Sequence, residues 1–257
     1  MNTIRVTQRD KVAIVTLDRG RSNALNAEMC SELNTIFRAI EQDDQVLGVI
    51  LTGKENFFSA GLDLIELYDY NEVQIKDFWS SFLELTRMLV MFRKPFVAAI
   101  NGHAPAGGCV LAICSDYRIM VDGKYIIGLN EVPVGIIVPE SIFQLYAFWI
   151  GSGRASRFLL EGKLMKPEEA LQAGLVDELV PEGTILTSAE RQMKKYIQLN
   201  AVTWQQSKIN IRRELVEKIS ADQSAMLDIM LRQWWSPNTR SILQTIIGNL
   251  RQKAPGS

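Results

Sequence analysis

The sequence predicts a mixed α/β fold whose strands give way to helices alone, and three observations predict it. Residues 3–8 and 11–17 alternate apolar and polar positions, the period of a half-buried strand. Residues 95–116 run from an apolar strand through a glycine turn into an all-apolar helical segment. After Pro181 strand patterns stop, and only helical periodicity remains.

Taken in order, the first two segments flank polar Gln8–Lys11 and read as a hairpin. Arg19–Asn23 is a loop, and Asn26 can cap a helix with Met29, Leu33, Ile36, Phe37 and Ile40 on its apolar face. Leu47–Leu51 is a short buried strand, followed by a loop over 52–65. A long helix spans about Val73–Met91, with Ile75, Phe78, Phe82, Leu85 and Leu89 on one side. Pro95 ends it and opens the strand Phe96–Ile100. Residues 115–121 and 124–128 read as strands joined at Asp122-Gly123, a hairpin turn signal. Helices follow over about 139–149, 154–161 and 167–173, separated by Gly151-Ser152-Gly153 and a loop, and Val176–Val180 is a last strand. Four amphipathic helices then occupy about 184–200, 202–219, 222–235 and 238–252, and Lys253–Ser257 reads as a disordered tail. Trp234 and Trp235 suit either a subunit interface or the core.

Composition narrows the function. The 257 residues are 47% hydrophobic and 22% charged, ordinary for a globular chain with a large core. A formal net charge of −1 gives no general attraction to nucleic acid or anionic membrane. No uncharged run reaches the ~18 residues of a membrane span, and the N-terminus lacks a signal-peptide pattern. Three cysteines, Cys30, Cys109 and Cys114, in no repeated spacing fit reduced thiols in the cytoplasm. With the single His103 they form no metal-binding pattern.

Three stretches carry candidate chemistry. In PFVAAINGHAPAGGCVLAICSD, residues 95–116, the glycine turn leads into a helix start with unpaired backbone N–H groups, a site for negative charge. The same pattern also serves as a plain strand–turn–helix packing unit. FFSAGLDL, residues 57–64, is a second glycine turn after a strand. GLNEVPVGIIVP, residues 128–139, sets Glu131 in an apolar run, where burial would raise its pKa. Sequence physics alone favours an exposed loop glutamate there, as most glutamates in such a chain are.

In this order AGLDL, PAGGC and IGLNE resemble the enoyl-CoA hydratase/isomerase (crotonase) superfamily, from about Val12 to about Pro181. Within it the chain looks most like the Δ3,Δ2-enoyl-CoA isomerases of the mitochondrial type. The resemblance implies a spiral of ββα units over residues 1–181. Residues 182–257 would then be a helical region for oligomerisation and part of the pocket wall, in a homotrimer or dimer of trimers. It implies a shift of 3-enoyl-CoA to 2-trans-enoyl-CoA without a metal or other cofactor, coenzyme A being part of the substrate. Glu131 would carry the proton from C2 to C4, and the backbone N–H groups of Leu62 and Gly107 would hold the thioester oxygen. Ser22, Asn23, Ala24, Leu25, Ala60, Gly61, Asp63 and Leu64 match the coenzyme-binding turns, and Asn130 would line the pocket. Arg19 and Arg21 would meet phosphates or simply be solvated.

One departure bears on the reaction. Hydratases of this superfamily carry a second glutamate three residues after the oxyanion glycine, and here that position is Val110. Glu66 and Glu140 are other acids nearby, both read as solvated or dipole-complementing residues, and His103 reads as a local hydrogen-bonding residue. The alternatives are hydration, decarboxylation, a double-bond shift on an acyl carrier protein, or a non-catalytic binding protein on the same fold.

Overall fold

A computed structural model describes residues 1–253 of the chain. The tail expected to be disordered, Lys253–Ser257, lies outside these residues from position 254 on.

The expected hairpin forms as β1 (Ile4–Arg9) and β2 (Val12–Leu17), paired antiparallel. Asn26 caps α1 (Ala27–Gln42) by accepting the Met29 N–H at 3.0 Å. Next come β3 (Gly48–Thr52), β4 (Asn56–Phe57), the short α2 (Leu64–Tyr68) and α3 (Glu72–Met91). The latter opens with a reciprocal capping box between Asn71 and Gln74. The middle of the chain supplies β5 (Phe96–Ile100), β6 (Gly102–Pro105), α4 (Gly107–Ile113), β7 (Tyr117–Val121) and β8 (Ile127–Gly128). A 3₁₀ turn, Val132–Val134, leads to α5 (Glu140–Ile150), α6 (Ser152–Glu161), α7 (Pro167–Ala173) and β9 (Glu178–Val180). The chain continues as α8 (Ile185–Ile197), α9 (Ala201–Ile219), α10 (Ser224–Trp234) and α11 (Pro237–Lys253).

Six strands form the main sheet in the order β1-β2-β3-β5-β7-β9, parallel except for the β1–β2 hairpin. Both faces are covered, as a parallel sheet requires. Val49, Leu51, Phe96, Ala98 and Ile100 face the large core shared with α1, α3, α4 and α5. Ile50, Val97, Ala99 and Ile119 face the other way, against Ile185, Ala189 and Met193 of α8. The alternation along β3 and β5 therefore separates two apolar clusters although every position is buried.

Two sequence expectations are corrected. Asn101-Gly102 reads as a sharp turn leading to the helix, yet Gly102 opens β6, which lies at the centre of a second, parallel sheet, β4-β6-β8. Residues 124–128 do not return along β7 as a hairpin. The main-sheet places beside β7 belong to β5 and β9, and β8 crosses to pair with β6 through Ala104↔Ile127 and Pro105↔Gly128. A two-strand contact of two residues carries almost no local signal, so the Asp122-Gly123 turn dominates the sequence pattern.

Trp234 is 2% exposed and packs in the main core, while Trp235 is partly exposed at its edge. Cys30, Cys109 and Cys114 are all free and buried. Among the described residues no helix is long and apolar enough to cross a membrane.

Candidate active site

The small parallel sheet brings the three chemistry-bearing stretches together. Its strands point the same way, so the segments that leave them emerge side by side. From β4 the chain enters the turn holding Leu62, from β6 it enters α4 at Gly107, and from β8 it reaches Glu131 three residues later.

The first two turns touch backbone to backbone. Gly61 has φ +87°, and a Cβ on it would lie 2.9 Å from Ala106 Cβ and 3.2 Å from Gly107 N. Only glycine lets the strands approach this closely. Ala106, the residue before α4, is itself held at φ +50°, a strained conformation for alanine that costs about 1–3 kcal/mol. Its N–H donates to Gly128 O at 2.8 Å, tying the α4 start to the strand that delivers Glu131. The first loop is pinned to the second turn by Leu25 N–H to Gly61 O and Asp63 N–H to Leu25 O, both 2.8 Å. That ladder takes up the Asp63 N–H, and the Gly61 N–H donates to Ser59 Oγ at 3.2 Å, so the donors on either side of Leu62 are both engaged. The N–H groups of Leu62 and Gly107 have no backbone acceptor among the described residues.

Leu62, Gly107, Val110 and Glu131 line one cavity, closed by Trp79 and Phe82 of α3 and by Val138, Pro139 and Ile142 at the start of α5. Its volume is about 10 Å³, room for no more than one water. At Val138 it adjoins an apolar groove of about 480 Å³ along Ile136, Ile137, Phe143, Leu159 and Leu160. Glu131 is 8% exposed, and its Oε2 has no hydrogen-bond partner. Burial pushes its carboxyl up to about 7, opposed only by a bond from its own backbone. Cys109 and Tyr146, the two titratable side chains on which its charge acts, are both pushed up chiefly by burial and stay neutral. A carboxyl at this pKa can take and return a proton near neutral pH.

Other expected site residues serve the scaffold or lie apart. Asp63 caps α2 through the Glu66 N–H at 3.0 Å. Arg19 spans Asp63 and Glu66, at 2.6 Å each, and donates to Ala24 O, so its guanidinium is committed to carboxylates. Glu66 also accepts from Tyr70 Oη at 2.6 Å and Asn26 Nδ2 at 3.0 Å. Asn23 is fully buried and bonds the carbonyls of Phe57 and Phe58, while Ala60 N–H donates to Ser22 O. Arg21 and Glu140 are exposed. Leu64 opens α2 and Asn130 lies against Gly162, and neither lines the cavity. The His103 ring sits between Phe57 and Tyr125, with centroids 5.1 and 5.2 Å away, also outside the cavity. Sequence reading missed Trp79. It lies one position off the apolar stripe assigned to its helix, and its bulk was the only available signal.

A family model described as enoyl-CoA hydratase/isomerase matches residues 7–237. The chain is 35% identical over 244 residues to the mitochondrial enoyl-CoA delta isomerase 1 of Mus musculus, covering 94% of this chain and 84% of that protein. It is 33% identical over 215 residues to the short-chain-enoyl-CoA hydratase of Clostridium acetobutylicum, covering 83% and 82%. Its structure is similar to that of human mitochondrial delta3-delta2-enoyl-CoA isomerase, with a TM-score of 0.94 at 31% identity over 98% of this chain and all of that one.

Proposed function

The chain belongs to the enoyl-CoA hydratase/isomerase family, and from that premise we propose that it converts 3-enoyl-CoA to 2-trans-enoyl-CoA. The observation that carries this reading is Glu131 as the single carboxylate in an apolar cavity beside two free backbone N–H groups.

In this reading Glu131, ionised, takes a proton from C2 of the acyl thioester. Electrons move toward the thioester carbonyl, and the N–H groups of Leu62 and Gly107 hold the oxygen as it becomes negative. One such donor contributes about 3–4 kcal/mol of transition-state stabilisation. Glu131 then returns the proton at C4, and the double bond settles between C2 and C3. Trp79, Phe82 and Ile142 keep water from the dienolate. The apolar groove beyond Val138 supplies room for the acyl chain.

The 33% identity to a hydratase favours hydration as a second reading. Val110 weighs against it. Addition of water needs a second group to orient and activate that water, and Val110 offers only methyl groups to a cavity with space for one. The test supplies 3-enoyl-CoA and 2-trans-enoyl-CoA to wild type and to Glu131→Gln. Isomerisation should fall about 10²–10⁴-fold in the variant, and wild-type hydration should be at least ~10²-fold slower than isomerisation. Near-normal turnover by Glu131→Gln removes the mechanism. Hydration as fast as isomerisation makes the enzyme a hydratase.

A further inference from the structure

Glu131 has no side-chain partner to aim it, so its carboxylate goes where its backbone goes. That backbone is a tight loop. The Glu131 carbonyl accepts the N–H groups of Val134 and Ile136 at 3.1 and 3.0 Å, and Gly135 closes the turn at φ +80°. These bonds shape the loop but do not fix it to the rest of the molecule.

The outside anchor comes from the far end of the chain. Thr239, in the first turn of α11, is fully buried, and its hydroxyl donates to Gly135 O at 3.2 Å. Thr239 Oγ1 in turn accepts from Gln233 Nε2, at the end of α10, at 2.8 Å. Thr239 thus stands between the Gln233 amide and the catalytic loop, 104 residues away in sequence. Packing reinforces the contact, since a Cβ on Gly135 would lie 3.4 Å from both Thr239 Oγ1 and Ile242 Cδ1. On its other side the loop rests through Pro133 against Gly162, where a Cβ would come within 2.3 Å of Pro133 Cγ. That contact is apolar, whereas Thr239 gives the loop a directional bond.

We propose that Thr239 is a positioning residue for Glu131, its hydroxyl locking the catalytic loop onto the α10–α11 junction through Gly135 and Gln233. The inference rests on the reading of Glu131 as the proton-transferring group. Thr239 lines neither the cavity around Glu131 nor the apolar groove, so its effect passes through the loop backbone, whereas Gln233 also borders the groove. A displacement of about 1 Å in a catalytic group is enough to lower a rate up to ~10²-fold.

The experiment compares wild type, Thr239→Val, Thr239→Ser and Gln233→Leu in two assays, 3-enoyl-CoA isomerisation and exchange of the C2 proton of an acyl-CoA in D₂O. Valine keeps the shape of threonine and removes the donor. For Thr239→Val the expected result is a kcat about 10-fold lower in both assays with KM changed less than about twofold. The acid limb of kcat/KM should also move down by about half a unit or more, because a loosened loop admits water to a carboxyl whose pKa burial has raised. The titratable groups facing Glu131, Cys109 from α4 and Tyr146 from α5, are unchanged in this variant. Thr239→Ser should restore both quantities. Gln233→Leu keeps the Thr239 hydroxyl but removes its support, and should lose about threefold in kcat in both assays, a change of KM alone being the effect of its place on the groove, which gives a reading even if Thr239→Val fails to fold. Wild-type kcat and an unmoved acid limb in folded Thr239→Val, or in Gln233→Leu when the valine variant does not fold, would overturn the proposal. Wild-type proton exchange without isomerisation would sink the isomerase reading and leave this comparison to be read from exchange. Absence of both in wild type would overturn the two together.

Discussion

Asp116 and Glu131 are both carboxylates drawn largely out of water, and their surroundings are opposite. The Asp116 side chain is 9% exposed and every part of it is engaged. Oδ2 accepts from Lys208 Nζ at 2.7 Å and from Phe96 N–H at 2.8 Å, and Oδ1 faces Arg212 Nη2 at 3.0 Å. Arg212 goes on to donate to the carbonyls of Val90, Cys114 and Ser115. Burial holds the Lys208 amine down at about 8, with Asp116 pulling the other way. Glu131, 8% exposed, has no counter-charge among the described residues, and its Oε2 is without a hydrogen-bond partner there. A buried charge with its partners is a fixed structural joint, here fastening α9 to the strand ends of the main sheet. A buried carboxyl without partners is unstable as an ion and therefore ready to hold a proton. In the proposed reading the difference separates architecture from chemistry within one core.

The largest effect on this contrast should come from Asp116→Asn. It strands Lys208 and Arg212 as buried cations with a neutral neighbour, and loss of one member of such a cluster costs about 3–5 kcal/mol. Urea unfolding should show that loss, while turnover per folded molecule stays near wild type. A stable variant with lost activity would place Asp116 in the chemistry and erase the contrast.

Glu131→Gln should act on stability in the opposite direction, and only at higher pH. The Glu131 carboxyl has a folded pKa of about 7 against an ordinary 4.5, so the folded state holds the proton more tightly than the unfolded state. Its contribution to stability is present below about pH 4.5 and is lost as pH rises through about 7, a span of about 3–4 kcal/mol at ~1.4 kcal/mol per unit. Glutamine cannot ionise and escapes that loss. Denaturation at about pH 5 and about pH 8 should therefore show the variant gaining on wild type as pH rises. An equal difference at both values would mean that the carboxylate is solvated or paired.

The same contrast explains what the sequence made legible. Local signals were readable: the Asn26 cap, the Pro95 boundary, the glycine turns, and a glutamate set in an apolar run at 131. The family resemblance then named Leu62, Gly107, Val110 and Glu131, and all four line one cavity. Contacts between distant segments were not readable. Asp116 meets Lys208 across 92 positions, and Thr239 meets Gly135 across 104, with no periodicity to announce either. The β4-β6-β8 sheet went unseen for a related reason. Its pairings are two residues long, and their meaning appears only when three distant segments lie side by side. Arg19 was open to a phosphate role in sequence, and its bonds to Asp63 and Glu66 required the fold to be seen.

The central claim is that burial without a partner sets Glu131 up as the base, and titrating that one carboxyl tests it most directly. Carbon-13 NMR of glutamate-labelled enzyme, with Glu131→Gln to assign the signal, gives its midpoint in the free protein. The pH dependence of kcat/KM for 3-enoyl-CoA reports the same free-enzyme group. Both midpoints should fall together near 7, with activity rising as the carboxyl ionises. A midpoint in the ordinary carboxylate range, or a kcat/KM that stays flat where the Glu131 signal titrates, would contradict it.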